Sequence, residues 1–184
     1  MKRLVAFAAL MLAGLLFLAA CTTPPVTIGL SDVAIDLSIA ADSAGKVIFP
    51  ENPLEFKNPV PATNVASVTI RGKAQLAQAA SVSFDIYATD TDPGELGCTQ
   101  VGSVITGYFY VCDPGTAGIA KVSQNTIAFD NEKGPVPFTL SGEMLASGIN
   151  KQNLYLGAVI HGAAAGNTLY LEEMSATVQL NIGK

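Results

Sequence analysis

Hydrophobic and polar residues alternate with a period of two along much of this chain. Val33, Ile35, Leu37 and Ile39 alternate with Asp32, Ala34, Asp36 and Ser38. Val82, Phe84, Ile86 and Ala88 alternate with Ser81, Ser83, Asp85 and Tyr87, and near the end Met174, Ala176, Val178, Leu180 and Ile182 alternate with Ser175, Thr177, Gln179 and Asn181. Successive side chains of a strand point to opposite faces, so each stretch predicts a strand with one buried and one wet face. Further strands are predicted at 65–76, 104–111, 126–129, 136–140, 154–160 and 168–171.

Turn-forming residues separate these segments: Asn58-Pro59-Val60-Pro61, Asp92-Pro93-Gly94, Asp113-Pro114-Gly115, Glu132-Lys133-Gly134-Pro135 and Ala165-Gly166-Asn167. Only 141–147 reads as helical, with Ser141 as N-cap and Gly148 as the stop. About eight or nine short strands and one short helix predict an all-β domain, an antiparallel two-sheet sandwich of immunoglobulin-like or related topology. A small closed barrel is the alternative.

The N-terminus departs from this pattern. Basic Lys2 and Arg3 precede an apolar stretch at 4–18 and the small residues Ala19 and Ala20, the three parts of a secretory signal. The apolar stretch is shorter than the roughly 20 residues that span a bilayer, and polar residues and prolines follow it. Leu18-Ala19-Ala20-Cys21 fits the lipobox pattern of Leu/Val/Ile, Ala/Ser, Ala/Gly, Cys. Over residues 1–21, therefore, the chain resembles the bacterial lipoproteins. That resemblance implies cleavage before Cys21, acyl chains on the Cys21 thiol and anchorage of the mature protein to a membrane of the cell envelope. With Thr22 rather than Asp in the next position, it implies the outer membrane where the cell has two. Residues 1–20 are then the signal, 21–27 the lipidated cysteine and a short Pro24-Pro25 tether, and 28–184 a single domain.

Removal of the signal takes two of the ten basic side chains, Lys2 and Arg3, leaving eight against fifteen acids and a formal charge of −7. An acidic domain without a Lys/Arg cluster lacks the electrostatic footprint for nucleic acid. Membrane attachment then falls to the acyl chains, since each buried methylene contributes about 0.8 kcal/mol.

The three cysteines divide in the same way. With Cys21 acylated, Cys98 and Cys112 are left as a pair, and in an exported chain they are expected to form a disulfide. A redox-active role for the pair lacks both C-x-x-C spacing and a nearby cation to depress a thiol pKa.

Few residues carry the pattern of a reactive or ligand-binding site. Asp90, Asp92 and Glu95 are the densest carboxylate cluster and offer oxygen ligands for calcium, but Pro93 interrupts an EF-hand pattern, and a solvated turn is the competing reading. His161 is the single histidine, so no site built on two imidazoles is possible within one chain. No G-x-S-x-G elbow accompanies it as base, and a structural role is expected. Glu172 and Glu173 are adjacent and would point to opposite faces of a strand, unsuited to flanking one glycosidic bond. Neither G-x-G-x-x-G nor a P-loop occurs, so no nucleotide cofactor, and no other cofactor, is expected. Tyr108 and Tyr110 share a strand face and could form a small stacking platform for a sugar, with sheet packing as the alternative. The expectation is a non-catalytic envelope lipoprotein that binds a protein partner or serves an envelope assembly; the alternative is a module for a glycan, a lipid or calcium.

Overall fold

The computed structural model describes residues 24–37, 44–57, 65–103, 107–162 and 166–180. The signal, Cys21, the turn at 58–61 and Ser38, Ile39 and Ile182 lie outside them. The strands are β1 (Val26–Gly29), β2 (Val33–Asp36), β3 (Val47–Pro50), β4 (Val65–Leu76), β5 (Ala80–Thr89), β6 (Thr99–Ser103), β7 (Gly107–Cys112), β8 (Ala120–Lys121), β9 (Ile127–Glu132), β10 (Val136–Ser141), β11 (Tyr155–His161) and β12 (Thr168–Leu180). Helix α1 (Glu143–Lys151) separates β10 from β11.

These strands make two antiparallel sheets facing each other, a sandwich-like all-β fold. One sheet has five strands in the order β1, β12, β4, β10, with β2 also on β12. The other has seven, ordered β6, β7, β3, β11, β5, β8, with β9 also on β5. β1 and β2 share one flank of β12, pairing with its C-terminal and N-terminal halves respectively (Val26 with Val178, Leu171 with Val33). Between those halves the register shifts at Glu172/Ser175, where Glu173 takes φ 51°. The stretches predicted at 168–171 and from 174 onward are thus one strand with an irregularity.

The alternation does set the core. Val82, Phe84, Ile86 and Ala88 of β5 meet Leu169, Leu171, Ala176 and Val178 of β12 and Val68, Ile70 and Leu76 of β4 in one buried cluster between the sheets. Phe84 and Phe129 pack edge to face with centroids 5.9 Å apart, an arrangement favoured by the ring quadrupoles. At one margin the sheets are stitched together by a Ser123–Leu140 bridge and by the Ser141 amide donating to the Val122 carbonyl at 2.9 Å.

Twelve strands among the described residues exceed the eight or nine expected. β1 begins at Val26, inside the segment 21–27 expected to be the lipidated cysteine and tether. β3 was not anticipated because it does not alternate: Val47, Ile48 and Phe49 are all fully buried, Ile48 in the central core and the other two beneath a cap on the outer face. β6 and β8 carry too few apolar residues to announce themselves.

The helix also differs from its prediction. It starts at Glu143 behind Gly142, with no side-chain cap, and runs through Gly148 to end at Gln152 in a left-handed conformation. Gly148 is there for space: a Cβ on it would lie 2.7 Å from Leu154 Cδ1. Leu145, Ala146 and Ile149 face inward, and the Asn150 side chain accepts a hydrogen bond from the Val65 amide at 3.0 Å.

Candidate functional site

The chemistry-bearing side chains gather on the outer face of the seven-stranded sheet. There a second, smaller cluster of buried residues, Val47, Phe49, Cys112, Tyr155 and Val159, is flanked by Tyr87, Cys98, Tyr110 and Ile119. Its cover consists of the loops on either side of the β6–β7 hairpin. The first turns through Asp92, whose carboxylate accepts from the Gly94 amide at 2.7 Å while Glu95 N donates to the Asp92 carbonyl at 3.0 Å. The second turns where the Thr116 amide bonds the Asp113 carbonyl at 3.0 Å, and Leu96 of the first loop lies against Gly118 of the second.

Cys98 and Cys112 close this cap as a disulfide with Cα atoms 4.7 Å apart. They extend the β6–β7 register by one step beyond Thr99–Val111, so their side chains emerge on the same face of neighbouring strands. A cavity of about 160 Å³ adjoins the bond, lined by Lys46, Thr99, Asp113 and Thr116 among others. Lys46 and Asp113 form an ion pair at its rim.

The three carboxylates of the candidate calcium loop have separate tasks. Asp90 accepts from the Ser147 hydroxyl, from Lys151 Nζ at 2.8 Å and from Thr91 Oγ1 at 3.0 Å, while its carbonyl accepts from Asn153 Nδ2 at 3.1 Å. It is the knot that ties α1 to the end of β5. Asp92 shapes its own turn, and Glu95 is exposed. Among the described residues no group of three or more His, Cys, Asp or Glu side chains is arranged to hold a metal ion.

Tyr108 and Tyr110 do share a face of β7, but not as a free pair. Tyr110 packs against the outer cluster and its ring lies near Gly94. Burial, with the Asp92 and Glu51 carboxylates nearby, pushes its hydroxyl pKa up. Tyr155 sits deeper, only 5% exposed. Its burial, followed by the charges of Asp92, Tyr110 and Glu95, raises its pKa as well.

A second polar knot, not anticipated from the sequence, centres on Asp85. Lys121 Nζ lies 2.8 Å from Oδ1, Thr126 Oγ1 donates to the same oxygen at 2.8 Å, and His161 Nε2 is 3.1 Å from Oδ2. Burial alone would raise the carboxyl pKa, but the hydrogen bonds from Lys121, Thr126 and His161 outweigh it and hold the group below the ordinary carboxylate value. His161 thereby links the end of β11 to Asp85 of β5. The outward position of Asp85 was legible from the alternation in β5; its partners were not, because they come from β8, β11 and the segment before β9. Ser83 stands opposite His161 in the β5–β11 register and pairs with Ala128 of β9 on its other side. Serine, histidine and aspartate thus share one face, in a stretch of strand whose backbone is engaged in ladders on both flanks.

Two grooves lie at the margins of the sandwich. One, of about 300 Å³, runs between β9 and β10 along Thr126, Ile127, Pro137 and Phe138. The other, of about 270 Å³, lies along Ser31, Asp32, Pro53 and Glu55 beside β2. Among the described residues no helix is long and apolar enough to cross a membrane. Comparison with known protein families, curated proteins and solved structures finds no match to this chain.

Proposed function

We propose that this chain is the precursor of an envelope lipoprotein whose mature domain is a non-catalytic binding or structural module, held at the membrane by acyl chains on Cys21. The observation that carries this reading is the Cys98–Cys112 bond. It satisfies two of the chain's three cysteines and leaves the third at the end of the lipobox. A disulfide stapling a surface cap belongs to oxidising compartments outside the cytosol, which agrees with an export signal. The polar side chains support the same view: Asp85 and Asp90, the two carboxylates with lowered pKa values among the described residues, are each engaged by several structural partners.

The test is expression of the full chain in a bacterium fed a radiolabelled or clickable palmitate. Label should enter the wild-type protein and be lost in Cys21→Ala, and an inhibitor of lipoprotein signal peptidase should cause the unprocessed form to accumulate. Unlabelled wild-type protein in the soluble fraction would overturn the proposal. Crosslinking in native envelopes should then recover a stoichiometric partner.

A further inference from the structure

The position of β1 limits how such an anchored domain can stand on its membrane. Only four residues separate Cys21 from Val26, and the five steps between the two reach at most about 18 Å when fully extended. β4, with its 12 residues, is about 36 Å long at the rise of a strand. The tether is therefore half the length of the sandwich, and it leaves from one identifiable end. Val26 pairs with Val178, Gln179 with Ser67 and Leu180 with Val65, so the start of β1, the start of β4 and the end of β12 lie together. Leu76, where β4 meets the other end of β12 at Leu169, lies at the opposite end.

Charge distinguishes the corners of the tethered end. The strand ends next to Val26 carry Thr27, Ala66, Ser67, Thr177 and Gln179 and not one carboxylate. The exposed Lys57 lies at the other end of β1, about 10 Å along the strand from Val26, its amide donating to the Gly29 carbonyl at 2.9 Å and its side chain against Gly29. The acids of this end lie elsewhere: Glu143 begins α1 beyond β10, at the far edge of the same sheet, and Glu51, Asp92 and Glu95 surround Tyr110 and Tyr155 on the outer face of the other sheet. An anionic headgroup layer attracts nearby lysines by roughly 1 kcal/mol each and repels carboxylates.

Resting on the lipid-anchor reading, we infer that the domain docks on the headgroups through the Val26, Ser67, Gln179 corner of its five-stranded sheet, whose strand ends carry no carboxylate to repel them. The acidic cap over the disulfide is turned away, and the β4–β5 turn at Ala79 is the part farthest from the membrane.

The experiment uses the full acylated protein reconstituted in phosphatidylethanolamine/phosphatidylglycerol vesicles containing a headgroup spin-labelled lipid. An environment-sensitive fluorophore is placed on Ser67→Cys, Gln179→Cys, Glu95→Cys or Ala79→Cys, all exposed positions. Loss of fluorescence at 67 and 179, and none at 95 and 79 beyond that in vesicles lacking the spin label, is the expected result. Equal quenching at all four positions, or stronger quenching at 95 or 79, overturns the docking geometry while leaving the anchor intact. Mass spectrometry of Cys21 and vesicle flotation separate the two failures: an unmodified Cys21 in protein that does not float overturns the anchor and the geometry with it.

Discussion

Phe49 lies across Gly157. A Cβ on Gly157 would fall 2.6 Å from Phe49 Cδ1 and 2.7 Å from the Ile48 carbonyl oxygen, so the ring occupies the space that a side chain on β11 would need. This is how β3 and β11 approach closely on the capped face, and Phe49 is fully buried as a result. Gly157→Ala should therefore destabilise the domain by about 1–3 kcal/mol, the usual cost of overpacking a filled interior. Urea unfolding followed by circular dichroism measures this; an unchanged midpoint would show that the ring can move aside.

The disulfide closes a loop with a sequence separation of 14, for which the chain-entropy account gives about 3 kcal/mol. Cys98→Ser/Cys112→Ser should lose about that much stability. Because the loops it staples cover the outer cluster rather than the central core, hydrogen exchange should speed up first at Val47, Phe49 and Tyr155, before Phe84 or Ile70. Uniform acceleration across both clusters would contradict the division into two packed layers.

Asp85 and Asp90 both have lowered pKa values: in each case burial opposes ionisation, and the hydrogen bonds, led by Lys121 at Asp85 and by Lys151 at Asp90, more than compensate. A carboxyl whose folded pKa lies below its unfolded value of about 3.9 contributes stability above that pH and loses it as pH falls through the folded value. Unfolding free energy should hold near neutrality and drop below about pH 4. In Asp85→Asn/Asp90→Asn that acid limb should flatten, with a loss of stability at pH 7 of about 1–3 kcal/mol per site. A double variant as acid-sensitive as the wild type would place the responsible carboxylates elsewhere.

Tyr155 supplies the opposite sign. Burial, with Asp92, Tyr110 and Glu95 nearby, raises its pKa, so the neutral phenol is the form the fold favours. Its contribution is intact below the unfolded value of about 10 and is lost as pH climbs through the folded one. Tyr155→Phe should be less sensitive to alkali than the wild type, and one late-ionising phenolate should be lost from a 295 nm titration.

Strands with one wet face, such as β5, were readable because alternation is a local property of the chain. β3 was not, since its second buried face is created by loops at 90–98 and 113–119, distant in sequence. The same distinction separates the two kinds of polar residue. Cys98 and Cys112 could be paired by counting, once Cys21 was set aside. The partners of Asp85 could not be found, because they depend on β11 and β8 lying on either side of β5, and a register of that kind leaves no mark in any single segment. Gly148 illustrates a third case: read locally it stops a helix, whereas in the fold it admits Leu154.

The placement of β1 also has a mechanical side. Its four residues run antiparallel to β12 at the sheet margin, and the chain enters at Val26. Tension that arrives through the residues before Val26 and is resisted at the opposite end of the sandwich, by the β4–β5 turn, is directed along the strand and not across it. The backbone bonds between β1 and β12 are then loaded together and must slip in unison, instead of opening one after another. A domain tugged from its N-terminus in this way resists shear where a peeled edge would unzip.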